Sequence, residues 1–177
     1  MKPEQSKNNT QNRIVTKKDR FGETGEKVIL KAKGLSIGYR AGKRETVISS
    51  DLNLVARESE VICLLGQNGI GKSTLLRTLS RMQPALKGQI QINDRSIDEI
   101  SRNELAKKIG LVLTERIPDT NLTVYEMVAL GRQPYTNWIG KMVEEDKELV
   151  RRALKGAQLE ELADMRCDEL SDGQLQR

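Results

Sequence analysis

Histidine is absent from the 177 residues, cysteine occurs twice, and aromatic side chains make up only 3%. Without histidine, no imidazole is on offer as a proton carrier. Two isolated cysteines, Cys63 and Cys167, do not form a disulfide framework. Cys63 is expected to pack inside a strand, and Cys167 has no partner at metal-ligand spacing. The longest apolar run, Val61 to Leu65, falls far short of the roughly 20 residues that span a bilayer. The first 30 residues lack the apolar stretch of a secretory signal, so a reducing cytoplasm is the expected location.

What is present suits a folded domain: 37% hydrophobic and 31% charged residues, in a length that buries about 70% of the unfolded surface. The net charge of +5 is confined to the start. Residues 1 to 33 hold nine Lys/Arg against four Asp/Glu, whereas residues 34 to 177 hold 21 of each. A basic tail on a neutral body is a weak footprint for nucleic acid, and none is expected as a partner. Residues 1 to 25 contain only Met1, Ile14, Val15 and Phe21 as large apolar side chains, so a disordered tail is expected there.

From residue 26 onward a single folded domain is expected. Val28 to Lys33 and Val47 to Val55 read as antiparallel strands around a polar turn at Ala41, Gly42 and Lys43. Val61 to Leu65 has the pattern of a strand buried on both faces in a parallel sheet, with a helix following at about Lys72 to Met82. Gly88 to Asn93 alternates like a strand, Ser101 to Lys108 reads as a short helix, and Ile109 to Leu113 as another buried strand. Residues 115 to 177 read as a helical subdomain. There Thr123 and Glu126 have capping-box spacing, Val143, Val150, Leu154 and Ala157 share a face, and Gln158 to Asp164 forms a short acidic helix.

Between the apolar run and the helix lies Gly66-Gln67-Asn68-Gly69-Ile70-Gly71-Lys72-Ser73, a full match to G-x-x-x-x-G-K-[ST] in the required strand-to-helix context. Glycines let consecutive N–H groups face one concavity at the positive end of a helix, which favours polyphosphate. Lys72 adds a point charge for the β and γ phosphates, and Ser73 a hydroxyl for Mg²⁺. Chance supplies this pattern in roughly 1% of chains of this length.

Leu170-Ser171-Asp172-Gly173-Gln174, about a hundred residues downstream, resembles the L-S-G-G-Q signature of ABC-type ATPases. The resemblance runs from about Val28 to the last residue. It implies an α/β P-loop NTPase core with an N-terminal antiparallel β subdomain and an α-helical subdomain. It also implies ATP held by the P-loop from Gly66 to Thr74. Ser171, Gly173 and Gln174 would close over the γ-phosphate of a second copy in a head-to-tail homodimer. Tyr39 matches the aromatic that stacks on adenine. Asn121 to Trp138 is similar to the segment facing the membrane permease subunits in importers of iron-siderophores, haem and vitamin B12. The implied setting is the cytoplasmic face of the cell membrane, with a periplasmic binding protein as an indirect partner.

Three departures accompany the resemblance. Thr114, followed by Glu115, stands where the family has a Gln that reaches Mg²⁺ and the attacking water, so Thr114 joins Lys72 as a candidate catalytic residue and Ser73 as a candidate metal ligand. Asp172 replaces the first signature Gly. The metal-holding Asp, catalytic Glu and switch His that would follow the signature are not among these residues. The expectation is a chain lacking the C-terminal part of the core, with an unpaired strand edge and little hydrolysis of its own. A soluble ATPase acting on ribosomes or DNA, or a non-catalytic nucleotide-binding fragment, are the alternatives.

Overall fold

The computed structural model describes residues 15–17, 27–112, 121–136 and 141–175. The chain divides into two compact units, Met1–Ser101 and Arg102–Arg177.

In the first unit, β1 (Val15–Lys17), β2 (Val28–Ala41), β3 (Arg44–Arg57), β4 (Cys63–Leu65), α1 (Lys72–Leu79), β5 (Lys87–Ile92) and β6 (Arg95–Ser96) follow in order. The polar turn at Gly42 and Lys43 closes the hairpin of β2 and β3, which pair from Ala41 with Arg44 back to Val28 with Arg57. β5 lines the other edge of β2, giving the antiparallel order β3-β2-β5-β6. Ala32, Leu35 and Ile37 of β2, Ile90 and Ile92 of β5, and Leu75 of α1 are buried. The two-residue period of β5 therefore sends its isoleucines inward and its Gln and Lys side chains outward. β5 can approach β2 this closely only through Gly88, with φ of +90°, because a Cβ there would lie 2.4 Å from the Gly34 carbonyl oxygen.

The strand entering the P-loop departs from expectation. Only Cys63–Leu65 is extended as a ladder, and it pairs antiparallel with β1, Val15 opposite Leu65 and Lys17 opposite Cys63. Val61 is 82% exposed, and Cys63 and Leu65 are exposed as well, so neither a strand buried on both faces nor a packed Cys63 is found. An apolar run states a preference for burial; the covering partners must come from elsewhere in the chain. Val15–Lys17, expected within a disordered tail, supply the one pairing that β4 has among the described residues. Ile109 to Val112 belong to no strand, and Leu113 lies outside the described residues. Helix α1 stops at Leu79 rather than Met82 because Arg81 takes a left-handed φ of +58°. From there its guanidinium donates to the carbonyls of Ile97 and Ile100.

The second unit contains α2 (Arg102–Ala106), α3 (Val124–Leu130), α4 (Glu144–Gly156) and α5 (Asp172–Leu175), with 3-10 turns at Gln133–Tyr135, Glu160–Leu162 and Cys167–Glu169. Val124, Val150, Leu154, Leu159 and Cys167 form its core. Burial raises the Cys167 thiol pKa, with smaller contributions from the Asp168 and Glu126 carboxylates. The expected capping box starts α3: Glu126 N–H donates to Thr123 Oγ1 at 3.2 Å, and Thr123 N–H donates to Glu126 Oε2 at 2.8 Å. At α4, Val150 and Leu154 are buried as the period required, but Val143 is 60% exposed. It precedes the helix, and its N–H donates to Asp146 Oδ2. The acidic segment expected as a helix over Gln158 to Asp164 is one 3-10 turn, after Gln158 at φ of +56° breaks the chain direction.

Candidate functional site

The P-loop is a turn between a short strand and a helix, and its shape follows from its glycines. Gly71 caps α1 at φ of +106°, and a Cβ there would lie 2.5 Å from Ile48 Cγ2 of β3. Glycine at this position therefore meets both a backbone and a packing requirement. Leu75 N–H donates to Gly71 O at 2.8 Å, so the helical ladder begins at the last loop residue. The N–H groups ahead of it are the unsatisfied donors of a helix N-terminus.

Lys72 reaches back over the loop, donating from Nζ to Gly66 O at 2.7 Å and to Gln67 O at 2.8 Å. Gln67, Asn68, Gly69 and Ser73 are exposed beside it. Tyr39, 35 residues upstream of Thr74, is brought to the same helix: its hydroxyl lies 3.1 Å from Thr74 Oγ1 while the residue remains 51% exposed. Lys72, Ser73 and Thr74 thus open one helix, and the Tyr39 hydroxyl reaches that same helix start. The tie between Tyr39 and Thr74 was not legible, since it joins a strand to a helix far apart in sequence.

In the second unit Ser171 and Gln174 act on each other. Gln174 Oε1 accepts from Ser171 N–H at 2.9 Å and from Ser171 Oγ at 2.8 Å, while Gln174 N–H donates to Ser171 O at 2.9 Å. Ser-x-x-Gln is capping-box spacing, a signal present in the sequence and passed over in favour of the signature reading. Gly173 is exposed between them. Thr114, Glu115 and Trp138 lie outside the described residues.

Two charged clusters were also unforeseen. Asp146, buried, receives Arg132 Nε at 2.9 Å and Nη2 at 2.8 Å, while the Arg132 guanidinium lies 4.0 Å from the Tyr135 ring centroid. The Arg132 hydrogen bond, followed by that from Val143 N–H, holds the Asp146 carboxyl below its ordinary pKa. Arg166 grips Asp168 with two nitrogens, at 2.9 and 2.7 Å, and reaches Asn121 Oδ1 at 2.7 Å. A groove of about 330 Å³ lined by Leu122, Tyr125, Ala129, Leu130 and Met142 among others lies along α3.

A sequence profile of the ABC transporter family matches residues 49–177, from β3 through the P-loop to the signature. The chain belongs to that family. Among its ABC transporter relatives, a probable siderophore transport system ATP-binding protein, YusV of Bacillus subtilis, is 40% identical over 81% of this chain and 50% of its own length. The iron(3+)-hydroxamate import ATP-binding protein FhuC of the same organism is 34% identical over 84% of this chain and 54% of its own. A solved dimeric ATP-binding cassette in a post-hydrolysis state, bound to ADP and Pi, superposes with a TM-score of 0.65 at 26% identity, covering 84% of this chain and 66% of the other. The fold is thus that of an ABC ATPase, an α/β P-loop architecture with antiparallel β and helical parts. The chain spans about half the length of the curated relatives it matches.

Proposed function

We propose that the chain is the ATP-binding, energy-coupling part of an ABC importer for iron chelates, with haem and cobalamin within the same substrate range. The observation that carries this reading is the P-loop itself: Gly71 seated where no side chain fits, Lys72 folded over the loop, and Ser73 exposed at the helix start. The iron-siderophore names of the relatives support the substrate class.

The donor set suits Mg²⁺-ATP. Successive loop N–H groups and the α1 terminus favour a polyphosphate. Ser73 offers one hard oxygen to a metal that otherwise keeps water and phosphate oxygens. Among the described residues no cluster of His, Cys, Asp or Glu could hold a metal by itself, so in this reading Ser73 is the protein's described contribution and Thr114 a second candidate. When bound, Mg²⁺ neutralises charge on the phosphates and orients them for transfer to water. Lys72 does the same from the protein side, and Tyr39 holds the adenine. Ser171, Gly173 and Gln174 serve the nucleotide of a second copy; the hydrogen bonds between Ser171 and Gln174 fix the turn that presents them.

The groove beside α3 is the surface we assign to the permease subunits, because it combines Leu122, Leu130 and Met142 with an anchored helix. In this reading attachment to the cytoplasmic face runs through those partners, and any periplasmic binding protein acts at one remove; among the described residues no helix is long and apolar enough to cross a membrane.

The test is calorimetric titration of the full chain with ATP and Mg²⁺, beside Lys72→Ala. Removing the charge should weaken ATP binding by tenfold or more, since a charge-assisted bond to phosphate contributes about 1.5–3 kcal/mol. Equal affinity in the two proteins would remove Lys72 from the site.

A further inference from the structure

We propose that the edge of β4 is a strand-docking site for the chain's own Val15–Lys17, and that this docking and anion capture at the phosphate loop reinforce each other. The proposal rests on the nucleotide reading above. β4 is three residues long, and its described partner is β1, which pairs antiparallel with Val15 opposite Leu65, Thr16 opposite Leu64 and Lys17 opposite Cys63. Packing does little to hold β4: Leu64 is half-buried, while Cys63 and Leu65 on either side of it are exposed. Val61 and Ile62, just ahead of the strand, are 82% and 43% exposed. A strand with so little burial takes its order from main-chain pairing, and β1 supplies that pairing.

The ladder ends where the phosphate loop begins. Leu65, paired with Val15, is followed directly by Gly66, and the Gly66 and Gln67 carbonyls are the oxygens that receive Lys72 Nζ, at 2.7 and 2.8 Å. Contacts are therefore continuous from Val15 through Leu65 and Gly66 to Lys72. An arm seated on β4 fixes one end of the loop, while α1 fixes the other. A two-stranded ladder of three residues is marginal in water, so the arm is displaceable. By linkage, whatever factor the docked arm adds to anion affinity, a bound anion adds to docking of the arm.

The test uses the full chain with inorganic tripolyphosphate and with ATP, each with Mg²⁺, read by calorimetry and by amide hydrogen exchange. In the unaltered chain either anion should slow exchange at Val15–Lys17 and at Cys63–Leu65 by about fivefold or more. Alternate N–H groups of an antiparallel strand face its partner, so Val15→Pro combined with Thr16→Pro removes a ladder donor whichever of the two it is. That variant should bind both anions about fivefold or more weakly, whereas Thr16→Val, which keeps the pairing, should match the parent. A synthetic peptide of residues 12–19 should restore the proline variant's affinity by adding the strand in trans. Unchanged affinity in the proline variant, or arm exchange indifferent to anion in the unaltered chain, would overturn the coupling and leave the nucleotide site standing. The exchange measurement decides even if the proline variant fails to fold. A loss that the peptide does not repair would overturn β4 as the docking site. If the unaltered chain bound neither anion, the nucleotide reading would fall and the coupling with it.

Discussion

The two units reach order by different routes. The helical unit is laced with short-range devices: the Thr123–Glu126 box, the Gln174 side chain on Ser171, and Glu144, Lys147, Glu148 and Arg151 paired along one face of α4. The nucleotide unit depends on distant strands finding one another. Where they do, in β2, β3 and β5, Leu35 and Ile37 are fully buried; at β4, Val61 and Leu65 remain exposed. A helix can be completed by its own neighbours in sequence, whereas a strand's stability is borrowed from segments that may lie anywhere in the chain. The phosphate loop sits at the junction between a strand of the second kind and a helix of the first.

The contrast can be broken most severely inside the helical core. Leu154→Ala, at a site 3% exposed, should cost about 2–5 kcal/mol and speed amide exchange throughout Arg102–Arg177. ATP titration of the same variant should remain near the parent's, because the loop lies in the other unit. A parallel loss of both would show that the two routes are coupled.

Gly71→Ala sharpens it from the other side. A Cβ would enter a left-handed conformation costing roughly 1–2 kcal/mol and would press on Ile48. Nucleotide binding should fall at least tenfold while exchange in the helical unit stays unchanged. Binding at the parent's level would mean that the loop tolerates a reshaped helix start.

Smaller still, Thr123→Ala removes one cap and should lower stability by about 1 kcal/mol in thermal melts, with Thr123→Ser retaining most of it. If alanine were neutral, the bridge between Thr123 and Arg166 would be carrying the segment instead.

Acid gives the gentlest perturbation. Asp146 and Asp168 have pKa values lowered by hydrogen bonds from Arg132 and Arg166 respectively, so their contribution is complete above the ordinary value of 3.8 and fades as pH falls through the lower folded value. Exchange in the helical unit should therefore accelerate below that pH. Asp146→Asn should flatten part of this response; an unaltered profile in the variant would remove Asp146 as its source.

The same contrast explains what could be read in advance. The phosphate loop, the Gly42-Lys43 turn and the Thr123 cap are written in consecutive residues, and each appears where the sequence put it. The pairing of β4 with Val15–Lys17, the hydroxyl contact from Tyr39 to Thr74 and the clasp of Arg132 on Asp146 join residues 14 or more positions apart. None follows a helical or strand period, so pattern alone could not propose them. The Val61 to Leu65 run misled for the same reason: its composition reports what the segment would accept, and says nothing of which neighbours arrive.

On the nucleotide reading proposed above, the folded-back Lys72 makes ligand capture partly an exchange of contacts. Its ammonium donates to two carbonyl oxygens, at 2.7 and 2.8 Å, and has a third proton to offer an arriving anion before either bond is given up. Neutral or weakly charged visitors have little to offer in that contest, whereas a polyphosphate brings several anionic oxygens at once. On the same reading, the loop favours ligands of high charge density. Adenosine should leave Lys72 where it is, AMP should compete poorly, and discrimination should steepen with each added phosphate.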